Sequence, residues 1–216
     1  MEHLDIETIF GIKSLSFSNS FKEFIHRFPL NNKYHALDLA CGYGQRALYL
    51  SNLGFQVTAL DHDPKKLKIL QEKADEHQLK VISVVGSMNQ LPFKDHTFDL
   101  VFCFSAIHHQ TKEEIQRTIS EMHRVLQPEG QVFFDILSEK DSTYMIGEEI
   151  GPGTKIGGRE GEEGVPHHYT TVEELKHLMT QFEQVHIVEK EYSYIFQEEE
   201  YSSSLFEVMA KKGSVS

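Results

Sequence analysis

The sequence predicts an α/β fold: a mostly parallel sheet with helices packed on both faces. Three observations point to it. Short apolar runs alternate with segments of 3.6-residue periodicity between positions 35 and 137. The first three runs end on Gly or Asp (Cys41-Gly42, Leu60-Asp61, Val85-Gly86), where a strand hands over to a loop. The run Phe98–Phe104 is apolar almost throughout, as a strand buried on both faces requires.

The elements follow in order. Phe17, Phe21, Phe24, Ile25 and Phe28 recur at helical spacing, and Pro29 with Asn31-Asn32 ends that segment. His35–Ala40 reads as the first strand. Gln45–Leu53 is helical and stops at Gly54. Phe55–Leu60 is the second strand. Asp63-Pro64 opens a helix, with Asp as cap and Pro in the first turn, where its missing N–H costs nothing. That helix buries Leu67, Leu70 and Ala74. Leu79–Val85 and Phe98–Phe104 are strands three and four. Thr111 and Glu114 form a capping box ahead of an apolar stripe of Ile115, Ile119, Met122, Val125 and Leu126. Pro128-Glu129-Gly130 reads as a turn and Gln131–Leu137 as strand five. Glycine and acidic residues then crowd positions 138–166, which read as a long loop of the kind that forms lids. Thr170 caps a last helix, and two strands, 184–195 and 203–211, close the chain as an antiparallel hairpin.

The chain reads as one domain over 1–216: a helical cover (1–34), a ligand-binding core (35–137), a lid (138–169) and a C-terminal helix with two strands (170–216). Its 216 residues carry 21 basic and 33 acidic side chains, a net charge of −12, which disfavours a nucleic acid partner. Apolar residues at 39% exclude a disordered chain. No apolar run reaches the roughly 18–20 residues of a membrane helix, and no secretory leader follows Met1-Glu2-His3. Two cysteines, Cys41 and Cys103, outside any C-x-x-C pair, suit a reducing compartment, so the expected location is cytoplasmic. A monomer or homodimer is expected.

In such sheets ligands sit beyond the carboxyl ends of the strands. After strand one comes Asp38-Leu39-Ala40-Cys41-Gly42-Tyr43-Gly44, where glycine lets the backbone approach a ligand. After strand two comes Asp61, a carboxylate able to accept both hydrogen bonds of a ribose diol. Gly42, Gly44 and Ala47 also fit the dinucleotide fingerprint. That alternative, an NAD-dependent oxidoreductase, is weakened because no Tyr-x-x-x-Lys occurs in the chain and no second domain is present to supply a catalytic site.

The wider set discriminates. Leu37–Gly44, Val57–Asp61, Gly86 with Leu91-Pro92-Phe93, Phe98–Val101 and Arg124–Gly130 occur in order. Together they resemble class I S-adenosylmethionine-dependent methyltransferases, in a small-molecule, type-11-like branch akin to quinone-biosynthesis enzymes. The resemblance implies a Rossmann-like, doubly wound, seven-stranded sheet. It implies S-adenosylmethionine as cofactor, S-adenosylhomocysteine as product and a small-molecule methyl acceptor. It places the methionine part on Ala40, Gly42 and Gly44, with Asp38 toward its ammonium. Asp61 would take the ribose and His62 the adenine. Ser87 and Met88 would flank the adenine and Phe104 would lie beneath the methionyl group. Ser87 departs from the family, which often has Asp there. A non-catalytic cofactor-binding protein is a further alternative.

Thirteen histidines include two adjacent pairs, His108-His109 and His167-His168. An imidazole titrates near neutrality and suits a general base, so His108 and His109 are catalytic candidates, against a reading in which they only shape a loop. Arg159, His167, His168 and Tyr169 in the lid are candidate acceptor contacts. No metal is expected: adjacent histidines do not easily face one ion, and no i,i+4 pair lies nearby.

Overall fold

The computed structural model describes residues 18–29, 34–159, 161–196 and 199–214. Phe17, Asn31 and Asn32 of the expected cover fall outside them. The described elements are α1 (Asn19–Ile25), β1 (His35–Leu39), α2 (Gln45–Asn52), β2 (Gln56–Asp61), α3 (Pro64–Glu76), β3 (Val81–Val85), β4 (Phe98–Cys103), α4 (Lys112–Val125), β5 (Leu126–Leu137), β6 (Glu148–Gly151), β7 (Thr154–Ile156), β8 (Pro166–His168), α5 (Val172–Leu178), β9 (Glu183–Phe196) and β10 (Glu199–Lys211). Seven strands form one sheet in the order β3-β2-β1-β4-β5-β10-β9. β1 runs parallel to both neighbours, with Leu37 opposite Thr58 on one side and Val101 on the other. β10 is antiparallel to β5 and to β9, so the C-terminal pair is a hairpin on a parallel sheet. Strand order reverses between β1 and β4, which puts the ligand-binding crevice at their carboxyl ends.

Side-chain alternation along β1 separates two cores. Leu37 and Leu39 face α4 and α5, joining Ile119, Met122, Phe134 and Leu175. Ala36 faces α1–α3, joining Phe21, Phe24, Leu48, Leu70, Phe102 and Phe133. On this second face α1 contributes an aromatic cluster: Phe21 lies 5.1 Å from Phe104 and Phe24 lies 5.1 Å from Phe133, both edge to face. Ser18 caps α1 by accepting from the Phe21 N–H. The capping box at Thr111 and Glu114 forms as the sequence indicates.

Three details differ from the sequence reading. The long lid contains a small antiparallel sheet, β6-β7-β8. Its strands are three or four residues long, too short for a detectable period-two pattern. β5 begins at Leu126, at the very end of α4, and absorbs Pro128–Gly130 as an irregular stretch of strand. The cap of α5 is Thr171, whose side chain accepts from the Glu174 N–H; the neighbouring Thr170 is buried and donates its N–H to the Leu137 carbonyl.

Two glycines hold the β1–α2 turn for different reasons. Both have left-handed φ, +56° at Gly42 and +72° at Gly44. A Cβ on Gly42 would meet nothing within 4 Å, whereas one on Gly44 would lie 2.2 Å from the fully buried Leu70 side chain. Gly42→Ala should therefore cost only the backbone strain, about 1–2 kcal/mol. Gly44→Ala adds overpacking of about 1–3 kcal/mol. Urea midpoints should rank the two in that order, and equal losses would contradict the packing role of Gly44.

Candidate functional site

A cavity of about 760 Å³ opens at the carboxyl ends of β1, β2 and β4. Its size suits a cofactor-sized ligand. The β1–α2 turn forms its near wall. Ala40 adopts φ +51°, Cys41 donates its N–H to the Leu60 carbonyl and Gly44 donates to the Cys41 carbonyl. Gly44 is the cap residue of α2 and supplies no side-chain hydrogen bond to it, so the first amides of that helix are not closed by a side chain.

Asp61 ties this turn to the next one. It is 3% exposed, and its carboxylate accepts from the Gly42 N–H at 2.8 Å and from the Asp63 N–H at 2.9 Å. Beside it His62 is exposed, its Nδ1 3.5 Å from Asp61.

The floor is charged and buried. Burial pushes the Asp38 carboxyl up to about 7, against the pull of Arg46. Burial likewise raises Asp135 to about 6, although it accepts the Ser105 N–H. Arg46 lies between them: burial lowers its pKa, while Asp135 and Asp38 raise it. Its guanidinium sits 4.2 Å from the centre of the Phe104 ring, a cation–π contact. On the far side Ser87 donates its hydroxyl to the Asn89 side-chain oxygen at 2.7 Å.

Of the cofactor residues expected from the sequence, Asp38, Ala40, Gly42, Asp61, His62, Ser87, Met88 and Phe104 line this one cavity. Gly44 stands behind the turn, against Leu70. His109 also lines it, while His108 is buried and its Nδ1 has no hydrogen-bond partner. Burial, with His167 and Arg159 adding to it and Glu162 opposing, lowers His109 to about 4.

The four lid candidates do not line the cavity. Arg159 donates to Asp141 at 3.1 Å. His168 pairs with Thr154 and with Glu174. The Tyr169 hydroxyl meets the Thr143 hydroxyl at 2.7 Å. His167 is 1% exposed and lies directly behind His109, ring centres 4.9 Å apart.

Sequence reasoning missed Arg46, Asn89, Asp135 and Glu162. Arg46 carried one signal: a basic residue in the first turn of a helix whose next two residues, Ala47 and Leu48, face the core. Asn89 and Glu162 sit in loops, where no periodicity marks an inward side chain. The absence of i,i+4 histidines left no expectation of a metal, yet the fold brings His109, Glu162 and His167 together.

Residues 37–134 match a family model described as a methyltransferase domain. An uncharacterized methyltransferase of Synechocystis is 38% identical over 130 residues, covering 58% of this chain and 59% of that one. A human mitochondrial protein named as the arginine-hydroxylase NDUFAF5 is 31% identical over 159 residues, covering 70% and 41%. The chain thus spans about half the length of these curated relatives. A solved structure of a SAM-dependent methyltransferase from Methanosarcina mazei superposes with a TM-score of 0.74 at 22% identity, covering 89% of this chain and 98% of that one. At that identity the likeness speaks for the fold.

The raised pKa of Asp38 makes a pH prediction. The folded protein holds this proton more tightly than the unfolded chain, where aspartate titrates at 3.8. The resulting stabilisation is complete below about pH 4 and is lost as pH rises through about 7. Asp38→Asn removes it. The stability of D38N relative to the parent should rise with pH across that window, by up to about 1.4 kcal/mol per pH unit. A difference in urea midpoints that stays flat with pH would refute the buried, proton-holding carboxyl.

Proposed function

Residues 37–134 form a methyltransferase domain of the class I S-adenosylmethionine-dependent family, and from that premise we propose that the protein transfers a methyl group from S-adenosylmethionine to a small-molecule acceptor by in-line displacement. The observation that carries this reading is the cavity wall itself, which groups two buried carboxylates, an ungated glycine turn and an aromatic floor.

The residues present fit the cofactor. Space lies open where a Cβ on Gly42 would stand, so a ligand can approach the turn. Asp38 is buried on the wall with its carboxyl destabilised as an anion, and a ligand ammonium would relieve that. Each Asp61 oxygen accepts one backbone N–H, which leaves lone pairs on both for a ribose diol. Ser87 and Asn89 place a hydroxyl and an amide, and Met88 a soft apolar surface, where an adenine would lie. Asn89 holds the Ser87 hydroxyl and so orients the group that stands in for the more usual carboxylate.

When bound, the cofactor supplies a sulfonium methyl that an acceptor lone pair displaces. The chain's part is to align the two, and orientation of this kind is worth on the order of 7–11 kcal/mol. Phe104, held by Phe21 and Arg46, gives the floor on which that alignment rests. His109 faces the acceptor's side of the cavity, and His108 and His167 fix its ring from behind. Arg159, His168 and Tyr169 act at one remove, by holding the lid. The charge of −12 disfavours a polyanionic acceptor, and a cavity of about 760 Å³ has room for a small one. Among the described residues no helix is long and apolar enough to cross a membrane. Cys41 and Cys103 are both free thiols, which supports a reducing, cytoplasmic setting.

Calorimetry tests the reading. S-adenosylmethionine and S-adenosylhomocysteine should bind and NAD(H) should not; the reverse pattern would overturn it. Asp61→Ala should weaken cofactor affinity by about 1–3 kcal/mol, the scale of a lost charged hydrogen bond. Unchanged affinity would remove Asp61 from the site.

A further inference from the structure

We propose that His109, Glu162 and His167 form a binding site for a zinc-class divalent metal ion at the rim of the cavity. One ligand atom from each residue lies within 4.8 Å of the others. His167 Nε2 is 2.8 Å from one Glu162 oxygen, and His109 Nε2 is 3.7 Å from the other. Two imidazoles and a carboxylate, with a fourth position open, are a recurring zinc donor set.

The tautomer of His167 points the same way. Its Nδ1 lies 3.1 Å from the Val165 carbonyl, which can only accept, so Nδ1 carries the proton. Nε2 is then the nitrogen aimed at Glu162, 2.8 Å from its carboxylate oxygen. A single proton would serve that one contact alone, whereas a divalent ion satisfies His167, Glu162 and His109 together. A backbone carbonyl that fixes the ring's other nitrogen is also what a ligating histidine usually has behind it.

Closure is small. Donors around a tetrahedral zinc stand about 3.3 Å apart, given metal–ligand distances near 2.0–2.2 Å. Glu162 is on the loop between β7 and β8 and its side chain is 38% exposed, so it has room to move inward. The ion would join this lid loop to His109, on the loop between β4 and α4. Entry is open, since His109 and Glu162 both line the cavity. With His109 and His167 committed, the open position would face the space where the proposed acceptor enters.

The site needs no cofactor, so its test is independent of methyl transfer. The full chain, stripped with a chelator, is titrated with Zn²⁺ alone by calorimetry, and bound metal is counted by elemental analysis. One equivalent is expected, with a Co²⁺-substituted sample showing tetrahedral visible absorption and Mg²⁺ giving no comparable binding. Glu162→Gln and His109→Gln should each weaken Zn²⁺ affinity at least about tenfold. Melting of the stripped variants and their binding of S-adenosylhomocysteine report on folding. No uptake overturns the proposal, as does uptake that both folded variants retain unchanged, which would place the ion on other histidines.

Discussion

The Asp61 carboxylate is the constraint on which the ligand-binding end of this fold depends. It is buried at the end of β2, and its two oxygens reach in opposite directions, one to the Gly42 N–H and one to the Asp63 N–H. The first bond fixes the turn that starts α2; the second fixes the turn that starts α3, where Asp63 in turn caps the helix by accepting from Lys65. One side chain therefore sets two strand-to-helix turns against each other. Charged hydrogen bonds of this kind are worth about 1.5–3 kcal/mol each. They also offset part of the cost of burying a carboxyl group at the cavity wall.

Beneath that turn the balance of charge is less complete. Asp38 and Asp135 share the single cation of Arg46, and burial raises both carboxyls. Neither has another cation among its principal influences. An apolar floor would have been easier to bury, yet the structure sets the Arg46 guanidinium of this uneven trio over the Phe104 ring. A cationic ligand lowers the cost of that arrangement, because it adds the charge that the two aspartates lack. The same feature that weakens the empty protein thus favours a ligand carrying an ammonium or sulfonium.

The sheet and much of the cavity wall were legible because short-range rules determine them. Strands ending on Gly42, Asp61 and Gly86 announced their own turns, and α4 announced itself through Thr111, Glu114 and its apolar stripe. What escaped was of longer range. Arg46 belongs to the floor only because β4 and β5 bring Phe104 and Asp135 beneath it. β6, β7 and β8 are too short to show alternation, so a small sheet read as loop. Glu162 is one of the acidic residues crowding the lid, and its meeting with His109 and His167 depends on how the β7–β8 loop folds back on the β4–α4 loop.

That fold-back is held by polar contacts more than by packing, and this shapes how the two halves of the site can vary. Asp141 accepts from Arg159, Ser203, Thr143 and the Ser204 N–H, and His168 links Thr154 to Glu174 on α5. Hydrogen bonds of this kind are directional and costly to leave half made, so they fix side-chain orientation more sharply than apolar contact does. They deliver His167 to the back of His109 with its Nδ1 already assigned by the Val165 carbonyl. The cavity wall around Asp38 and Asp61 rests instead on the sheet and on apolar cores that do not involve the lid's polar groups. A change in the lid can therefore re-aim the His109 side of the cavity while the wall around Asp38 and Asp61 stays as it is.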